Sequence, residues 1–220
     1  MTARADPTHS GRERPPVAPA GESVQEFLTA LGSGAPAPGG GAAASLCGAL
    51  AAALVAMVCR VTAARDPSAT SEVSASIARA DELGQRLARL VTEDMDAYRR
   101  VVEARRSGGG PDAVQRALTR ATEVPLMLVR DSRDVLALCE SVAPRARASA
   151  LSDLGVAAAL AWGALESGVL TVRANLADVT AARFATVSED ELAALLAEGR
   201  EARQRASETI AGRTAQKTRR

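Results

Sequence analysis

Apolar residues recur along this chain at spacings of three and four, the period of a helix that packs on one side. The clearest stripe lies on a predicted helix over 72–106 and consists of Ile77, Ala80, Gly84, Leu87, Val91, Tyr98 and Val102. Serine followed three residues later by glutamate, at Ser23 and Ser188, predicts the starts of the first and last helices. No segment has the alternation of a strand. The pattern predicts an all-α bundle of about six helices.

Two predicted helices carry faces of small residues. On the helix over 42–64 the face consists of Ala44, Gly48, Ala52 and Ala56. On the helix that begins at Ser149 it consists of Gly155, Ala159 and Gly163. Aromatic residues make up only 2% of the chain, and a core of small side chains reaches native density only if backbones approach closely. We therefore predict tightly packed Ala/Gly-rich central helices that seal against each other, and a homodimer interface built from such helices.

Glycine and proline mark the predicted connections. Segment 32–41, GSGAPAPGGG, is predicted as a loop, 66–71 as a turn, and 107–111 as the end of the long helix. Pro125 should kink or restart the fourth helix. The predicted organisation is an N-terminal extension over 1–21, one helical domain over 22–212, and a basic tail over 213–220.

Composition narrows the possible partners and the location. The net charge is +1 with acids and bases interleaved, so no basic stripe favours nucleic acid. Residues 42–59 are uncharged and near the lower limit for a membrane span, but half are alanine or glycine and no aromatic belt flanks them. We interpret this segment as a buried helix. The N-terminus lacks the apolar core of a signal peptide, and the three cysteines are expected to be reduced core residues, so a cytoplasmic location is predicted.

The residues available for chemistry are few. His9 is the only histidine and Lys217 the only lysine, and both lie near the chain ends. A serine–histidine–aspartate triad, a histidine-ligated metal, a Schiff base and a phosphate-loop lysine therefore lack their essential residue. Catalysis would use carboxylates, hydroxyls, arginines and backbone amides, and no metal site is predicted.

Four features could form a site, and each has a plainer explanation. The glycines of Pro36–Gly41 could let backbone N–H groups face an anion or a polar ring, or form a flexible linker. Asp94, next to the apolar stripe, could be a base with a shifted pKa or a surface charge. Ser152 and Asp153 could belong to a site or simply cap a helix. Asn175 could be a polar contact or a helix-end residue.

Four segments in order resemble the formiminotetrahydrofolate cyclodeaminase and methenyltetrahydrofolate cyclohydrolase family. They are SVQEFLTALGSGAPAPGGGAAASLCGALAAALVAMV, EDMDAYRRVV, ATEVPLMLVRDSRDVLAL and SDLGVAAALAWGALESGVLTVRANL, and the resemblance spans roughly 23–205. It implies a helical homodimer that holds a tetrahydrofolate derivative in a cleft near the interface, with no other cofactor. The implied reaction is opening of a methenyl bridge by water, or closure of a formimino group with loss of ammonia. Because a free-standing cyclodeaminase domain would need a separate supply of formimino-folate, cyclohydrolase is favoured.

The resemblance also assigns site residues. The family's P-x-P-G-G-G loop falls on Pro36–Gly41, its D-x-x-A-F/Y pattern on Asp94 and Tyr98, its Ser-Asp pair on Ser152 and Asp153, and its Asn-Leu on Asn175 and Leu176. This implies that Asp94 and Asp153 are catalytic. The implied substrate-binding residues are Pro38, Gly39, Gly40, Gly41, Tyr98, Ser152 and Asn175.

The chain departs from the family pattern at three places. A lysine-rich turn that could meet the folate's glutamate tail is replaced by RVTAAR over 60–65, a Gly-Asn pair by Ala146 and Arg147, and an asparagine by Thr171. The alternative function is therefore a non-catalytic helical dimer that keeps the family scaffold as a binding or regulatory module.

Overall fold

A computed structural model of the chain describes residues 23–64 and 70–218, which form six α-helices and no strand. The helices are α1 Val24–Leu31, α2 Gly40–Ala63, α3 Thr70–Arg106, α4 Gly110–Val142, α5 Leu151–Leu176 and α6 Ala182–Thr218, with a 3₁₀ turn at Ala148–Ala150 before α5. The predicted all-α bundle of about six helices is confirmed. The predicted extension over 1–21 and most of the predicted turn over 66–71 lie outside the described residues.

The first capping box forms as predicted. The Ser23 amide donates to the Glu26 carboxylate over 2.6 Å, and the Glu26 amide donates to the Ser23 hydroxyl over 3.2 Å. The following loop is shorter than predicted, because α2 already begins at Gly40. Gly40 and Gly41 therefore lie in the first turn of α2, where their amides have no partner one turn earlier.

The second predicted capping box is wrong. Helix α6 begins at Ala182, so Ser188 lies inside it and is buried. Glu191 is paired with Arg130 of α4 at 2.5 Å. Contacts with the neighbouring helices thus outweigh the local capping pattern.

Helix α6 extends beyond residue 212, where the basic tail was predicted to begin, and continues to Thr218. Its Arg213 donates to the carbonyl oxygens of Ala143 and Ala146 over 2.7 and 2.6 Å. These are carbonyls at and just beyond the end of α4, so the predicted tail ties the last helix to α4. Helix α4 itself runs unbroken through Pro125 and does not restart there.

The small-residue face of α2 packs against α3 rather than α5. A Cβ built at Gly84 of α3 would lie 3.6 Å from the Ala52 Cβ, and one built at Gly48 would lie 3.1 Å from the Leu87 side chain. Helix α5 meets α2 along another side, where the Cys47 thiol lies 3.5 Å from the Leu160 carbonyl oxygen. The predicted sealing of the two small-residue faces is wrong within one chain.

The small-residue face of α5 is left uncovered. A Cβ built at Gly155 or Gly163 would meet nothing within 4 Å. Leu170 on the same helix is 70% exposed, and Leu50 on neighbouring α2 is 53% exposed. We call the surface formed by Leu50, Val156, Ala159, Gly163 and Leu170 the open face. By length and composition alone, α2 and the segment Ala148–Leu176 could each span a membrane, a test that core helices of soluble proteins also pass.

One carboxyl group is enclosed where α3 and α4 meet. The Asp131 side chain is 1% exposed, and one of its oxygens accepts a hydrogen bond from Arg86 of α3. The other oxygen has no hydrogen-bond partner among the described residues. Burial raises the pKa of Asp131 to about 6, a rise that Arg86 opposes and the nearby Asp134 increases. The helix contact thus contains an ionisable group that water does not reach.

Candidate functional site

The loop before α2 and parts of three other helices enclose a cavity of about 360 Å³. Its walls bring together the glycine-rich loop, Asp94 and Tyr98 of α3, and Asn175 of α5. These groups are far apart in sequence, and all of them were predicted as site residues. The cavity is therefore the candidate site.

The carboxylate of Asp94 occupies the space beside Gly41 where another residue would have a side chain. A Cβ built at Gly41 would lie 2.2 Å from Asp94 Oδ1, far inside van der Waals contact. The apolar stripe of α3, buried at Leu87, Leu90 and Val91, fixes the rotation of this helix and turns Asp94 toward α2. Asp94 is thus a cavity residue and not a surface charge.

Burial controls the chemistry of the Asp94 carboxyl. Loss of solvation raises the pKa of Asp94, and a hydrogen bond from the Ala42 backbone amide opposes the rise. A carboxylate that is partly desolvated and held by one fixed amide is a suitable proton acceptor. The geometry therefore supports a role for Asp94 in proton transfer.

The glycine-rich loop presents backbone groups to the cavity. Gly39 precedes α2 in an extended conformation, and no side chain caps this helix end. Gly39, Gly40 and Gly41 all line the cavity, so amide donors at a helix N-terminus are available to a polar or anionic ligand group. Pro38 is buried and does not line the cavity; its predicted role in substrate binding stays a prediction.

Tyr98 of α3 and Asn175 of α5 both line the cavity. Tyr98 lies one turn beyond Asp94 on α3 and is 46% exposed. The Asn175 amide donates to the Ala121 carbonyl oxygen over 2.7 Å, which anchors this side chain between α5 and α4. The side-chain carbonyl oxygen of Asn175 is thus held in a fixed position at the cavity wall.

Several cavity residues carry no signal in the sequence alone. Arg105 and Asp178 form an ion pair of 2.7 Å at the cavity, although 73 residues separate them. Thr171, which stands where the family often has an asparagine, also lines the cavity, four residues before Asn175 on the same face of α5. No group of three or more histidine, cysteine or acidic residues that could hold a metal occurs in the described ranges.

Ser152 and Asp153 do not join this cavity within one chain. They lie in the first turn of α5, 23 and 22 residues before Asn175, a separation of about 33–35 Å along a helix. They do not cap the helix either, because the N-cap is Ala150 and no side chain accepts there. Ser152 is exposed and Asp153 half-exposed. Neither predicted explanation of the pair is satisfied by a single chain.

Gly41→Ala should lower activity at least tenfold and destabilise the fold by about 1–3 kcal/mol, because its methyl group would overlap the Asp94 carboxylate. Gly40→Ala is the matched control for stability, since a Cβ there would meet nothing within 4 Å. Thermal unfolding and turnover report the two effects. In a double-mutant cycle, Asp94→Ala should relieve most of the destabilisation by Gly41→Ala; purely additive effects would contradict the proposed overlap.

The chain and its fold are similar to characterised proteins. Residues 23–194 match the family model described as formiminotransferase-cyclodeaminase. The chain is 34% identical over 199 residues to the methenyltetrahydrofolate cyclohydrolase of Methylorubrum extorquens. The aligned region covers 86% of this chain and 96% of that protein. It is 31% identical over 192 residues to the formimidoyltransferase-cyclodeaminase of Mus musculus, covering 81% of this chain but only 35% of the mouse protein.

A solved structure shows the same fold. The crystal structure of formiminotetrahydrofolate cyclodeaminase from Thermotoga maritima matches this chain with a TM-score of 0.83 and 27% sequence identity. The match covers 87% of this chain and 96% of the other.

Proposed function

Because the chain belongs to the formiminotransferase-cyclodeaminase family, we propose that the cavity around Asp94 binds a tetrahydrofolate derivative and acts on the one-carbon unit carried by N5 and N10. The predicted family is confirmed, and the chain is an enzyme of folate one-carbon metabolism. The assignment of the site rests on one observation. The Asp94 carboxylate lies against Gly41, in the first turn of α2, and both line the cavity. This enzyme function is favoured over the non-catalytic binding module.

The proposed reaction is that of a methenyltetrahydrofolate cyclohydrolase. Its support is the 34% identity to a cyclohydrolase along nearly the whole length of both chains. The second candidate is the cyclodeaminase reaction, supported by the structural match to a cyclodeaminase. Both reactions pass through a carbon bonded to two folate nitrogens and one further heteroatom, so one carboxylate-lined cavity can serve either.

In the proposed mechanism, Asp94 moves the proton. Water adds to the cationic methenyl carbon and loses a proton to the Asp94 carboxylate, which gives a neutral tetrahedral carbon bearing a hydroxyl group. The bond from this carbon to N5 then breaks, N5 takes up a proton, and the hydroxyl loses its own, which leaves a formyl group on N10. The amides of Gly39 to Gly41 bind the polar edge of the folate, and Tyr98 and Asn175 orient it. The reaction as drawn uses no cofactor beyond the folate.

We also propose that a second copy of the chain covers the open face and completes the site. Gly163, beside open space, lies ten residues after Asp153 and ten before Arg173. If two α5 helices cross antiparallel about a two-fold axis at Gly163, the partner's Asp153 faces position 173, between Thr171 and Asn175. Glycine and alanine at the crossing allow close approach. This arrangement gives Ser152 and Asp153 a role in the cavity of the partner.

The proposed location is the cytoplasm, and the proposed partner is a small folate rather than nucleic acid or membrane. The interleaved charges with a net value of +1 favour this choice. The core packing of α2, on which Ala51, Ala52 and Val55 are fully buried, fits a helix inside a bundle.

The test of the proposed function is turnover by the purified chain at neutral pH. Loss of methenyltetrahydrofolate absorbance should be faster than in a blank without enzyme. Ammonia release from formiminotetrahydrofolate, measured in parallel, tests the second candidate. Acceleration of ammonia release alone would replace cyclohydrolase by cyclodeaminase, and no acceleration of either would refute both reactions.

A further inference from the structure

We propose that the ion pair of Arg105 and Asp178 lets the candidate site select its ligand by charge, so that the site binds a cationic one-carbon unit in preference to a neutral one. This inference rests on the proposed function, because it assumes that the cavity takes up a methenyl-bearing folate and releases a formyl-bearing one. It makes Asp178 a specificity-determining residue, whose carboxylate neutralises the positive charge of Arg105.

The substrate and the product of the proposed reaction differ by one unit of charge at the reacting carbon. The methenyl carbon and its two nitrogens share a positive charge, whereas the formyl group of the product is neutral. The carboxylates of the folate are the same in both molecules, so their contribution cancels when the two affinities are compared. The ratio of the affinities therefore reports the electrostatic potential that the cavity imposes on the one-carbon unit.

Among the described residues that line the cavity, the charged side chains are Asp94, Arg105 and Asp178. Two carboxylates and one guanidinium leave one negative charge, which favours a cation. Arg105 follows Asp94 by eleven residues, three turns of α3, so both lie on one face of the helix, about 16 Å apart along its axis. Without Asp178, the charge of Arg105 would cancel that of Asp94, and the preference for a cation would be lost.

Asp178 is fixed at the cavity wall, although its side chain is 59% exposed. Its carboxylate accepts a hydrogen bond from Arg105 over 2.7 Å, and its backbone amide donates to the Asn175 carbonyl oxygen over 3.2 Å. The Gln115 side chain of α4 donates to the Asp178 carbonyl oxygen over 3.0 Å and accepts from the Thr180 amide over 2.9 Å. Gln115 thus uses both ends of its amide to hold the connection between α5 and α6, and with it the carboxylate that faces Arg105.

The plainer explanation of the pair is a tie between α3 and the end of α5. Exposed ion pairs contribute little to stability, so the position of the pair on the cavity wall is what points to the ligand. The two explanations can be separated because Asp178→Asn and Arg105→Gln both break the pair but change the charge in opposite directions. A tie predicts effects of the same sign, and charge selection predicts effects of opposite sign.

The experiment compares KM for methenyltetrahydrofolate with the inhibition constant Ki of 10-formyltetrahydrofolate at low ionic strength. Asp178→Asn should raise the ratio of KM to Ki about threefold, and Arg105→Gln should lower it about threefold, as expected for one unit charge in a partly exposed site. The double variant Arg105→Gln/Asp178→Asn again has one negative charge, so its ratio should return close to that of the wild type. Added salt should reduce both shifts. In the proposed dimer, the partner's Asp153 is the same in every variant and does not alter the comparison.

Asp96→Asn is the matched control. Asp96 is an exposed carboxylate of α3 that pairs with Arg99 at 2.9 Å and does not line the cavity, so its loss changes the net charge of the chain equally but should leave the ratio unchanged. Circular dichroism checks that the variants are folded. Shifts of the same sign in Asp178→Asn and Arg105→Gln, or no shift in either, would overturn the proposal while turnover leaves the reaction intact.

Calorimetric titration separates failure of the proposed reaction from failure of charge selection. If the wild type turns over neither folate, its affinities and those of the variants for the two folates can be measured directly. Opposite shifts in the two single variants would then leave charge selection standing and refute the reaction. Binding of neither folate by the wild type would overturn both proposals.

Discussion

Asp94→Asn should lower kcat for methenyltetrahydrofolate by about 10²–10⁴-fold, the usual contribution of a positioned proton-transfer group. The amide has the same shape as the carboxylate and its oxygen can still accept the Ala42 amide hydrogen bond, but it cannot take up a proton. Since burial disfavours the charged form of Asp94, the neutral amide should not destabilise the fold. Steady-state kinetics and thermal unfolding measure the two effects separately.

Glu93→Gln is the matched control for this substitution. Glu93 precedes Asp94 on α3, but its carboxylate is directed to Arg120 at 2.9 Å and does not line the cavity. The Glu93→Gln variant should keep an activity close to that of the wild type.

The rate of the wild type should also depend on pH through Asp94. The acidic limb of the wild-type kcat/KM profile should lie above the ordinary pKa range of aspartate, because burial raises the pKa of Asp94. The limb should vanish in Asp94→Asn. Undiminished turnover of folded Asp94→Asn would remove Asp94 from the mechanism.

A mixture of Asp94→Asn and Asp153→Asn chains, each inactive alone, should recover about a quarter of wild-type activity after the subunits exchange. In the proposed dimer, each site takes Asp94 from one chain and Asp153 from the other. Random exchange makes about half of the dimers mixed, and each mixed dimer has one intact site of two. Turnover is measured after co-refolding of equimolar chains, with native mass spectrometry to count the mixed dimers.

The control for this complementation is a mixture of Asp94→Asn with the double variant Asp94→Asn/Asp153→Asn, in which no dimer has an intact site. It should stay inactive. Mixed dimers without recovered activity would show that the site is not shared between chains. Full activity of Asp153→Asn by itself would exclude a catalytic role for Asp153.

Local sequence was sufficient for the helices but not for every boundary. At Ser23 the predicted hydrogen bonds of the capping box form. The same pattern at Ser188 fails because that serine is buried in α6 and Glu191 pairs with Arg130 of α4. Helix period predicts which residues share a face, but not which neighbour the face will meet. The small-residue face of α2 therefore meets α3 through Gly84, and not α5.

The candidate site was predictable to the extent that its residues follow a family pattern. The family pattern assigned Gly39 to Gly41, Asp94, Tyr98 and Asn175, and the fold brings them to one cavity. The contact between Gly41 and Asp94 could not be read from residues 53 positions apart, because it depends on how α2 and α3 cross. Arg105 and Asp178 were missed for the same reason.

The enclosed carboxyl of Asp131 makes folding a proton-uptake reaction at mildly acidic pH. Its pKa rises from an ordinary 3.8 to about 6 in the folded chain, so the folded state binds this proton more tightly than the unfolded one. The contribution to stability is complete below the ordinary pKa and is lost as pH rises through about 6. Glu191 acts in the opposite sense, because Arg130 lowers its pKa and acid removes its contribution. Acid therefore removes the stabilisation by the pair of Glu191 with Arg130, while it favours the folded state through proton binding by Asp131.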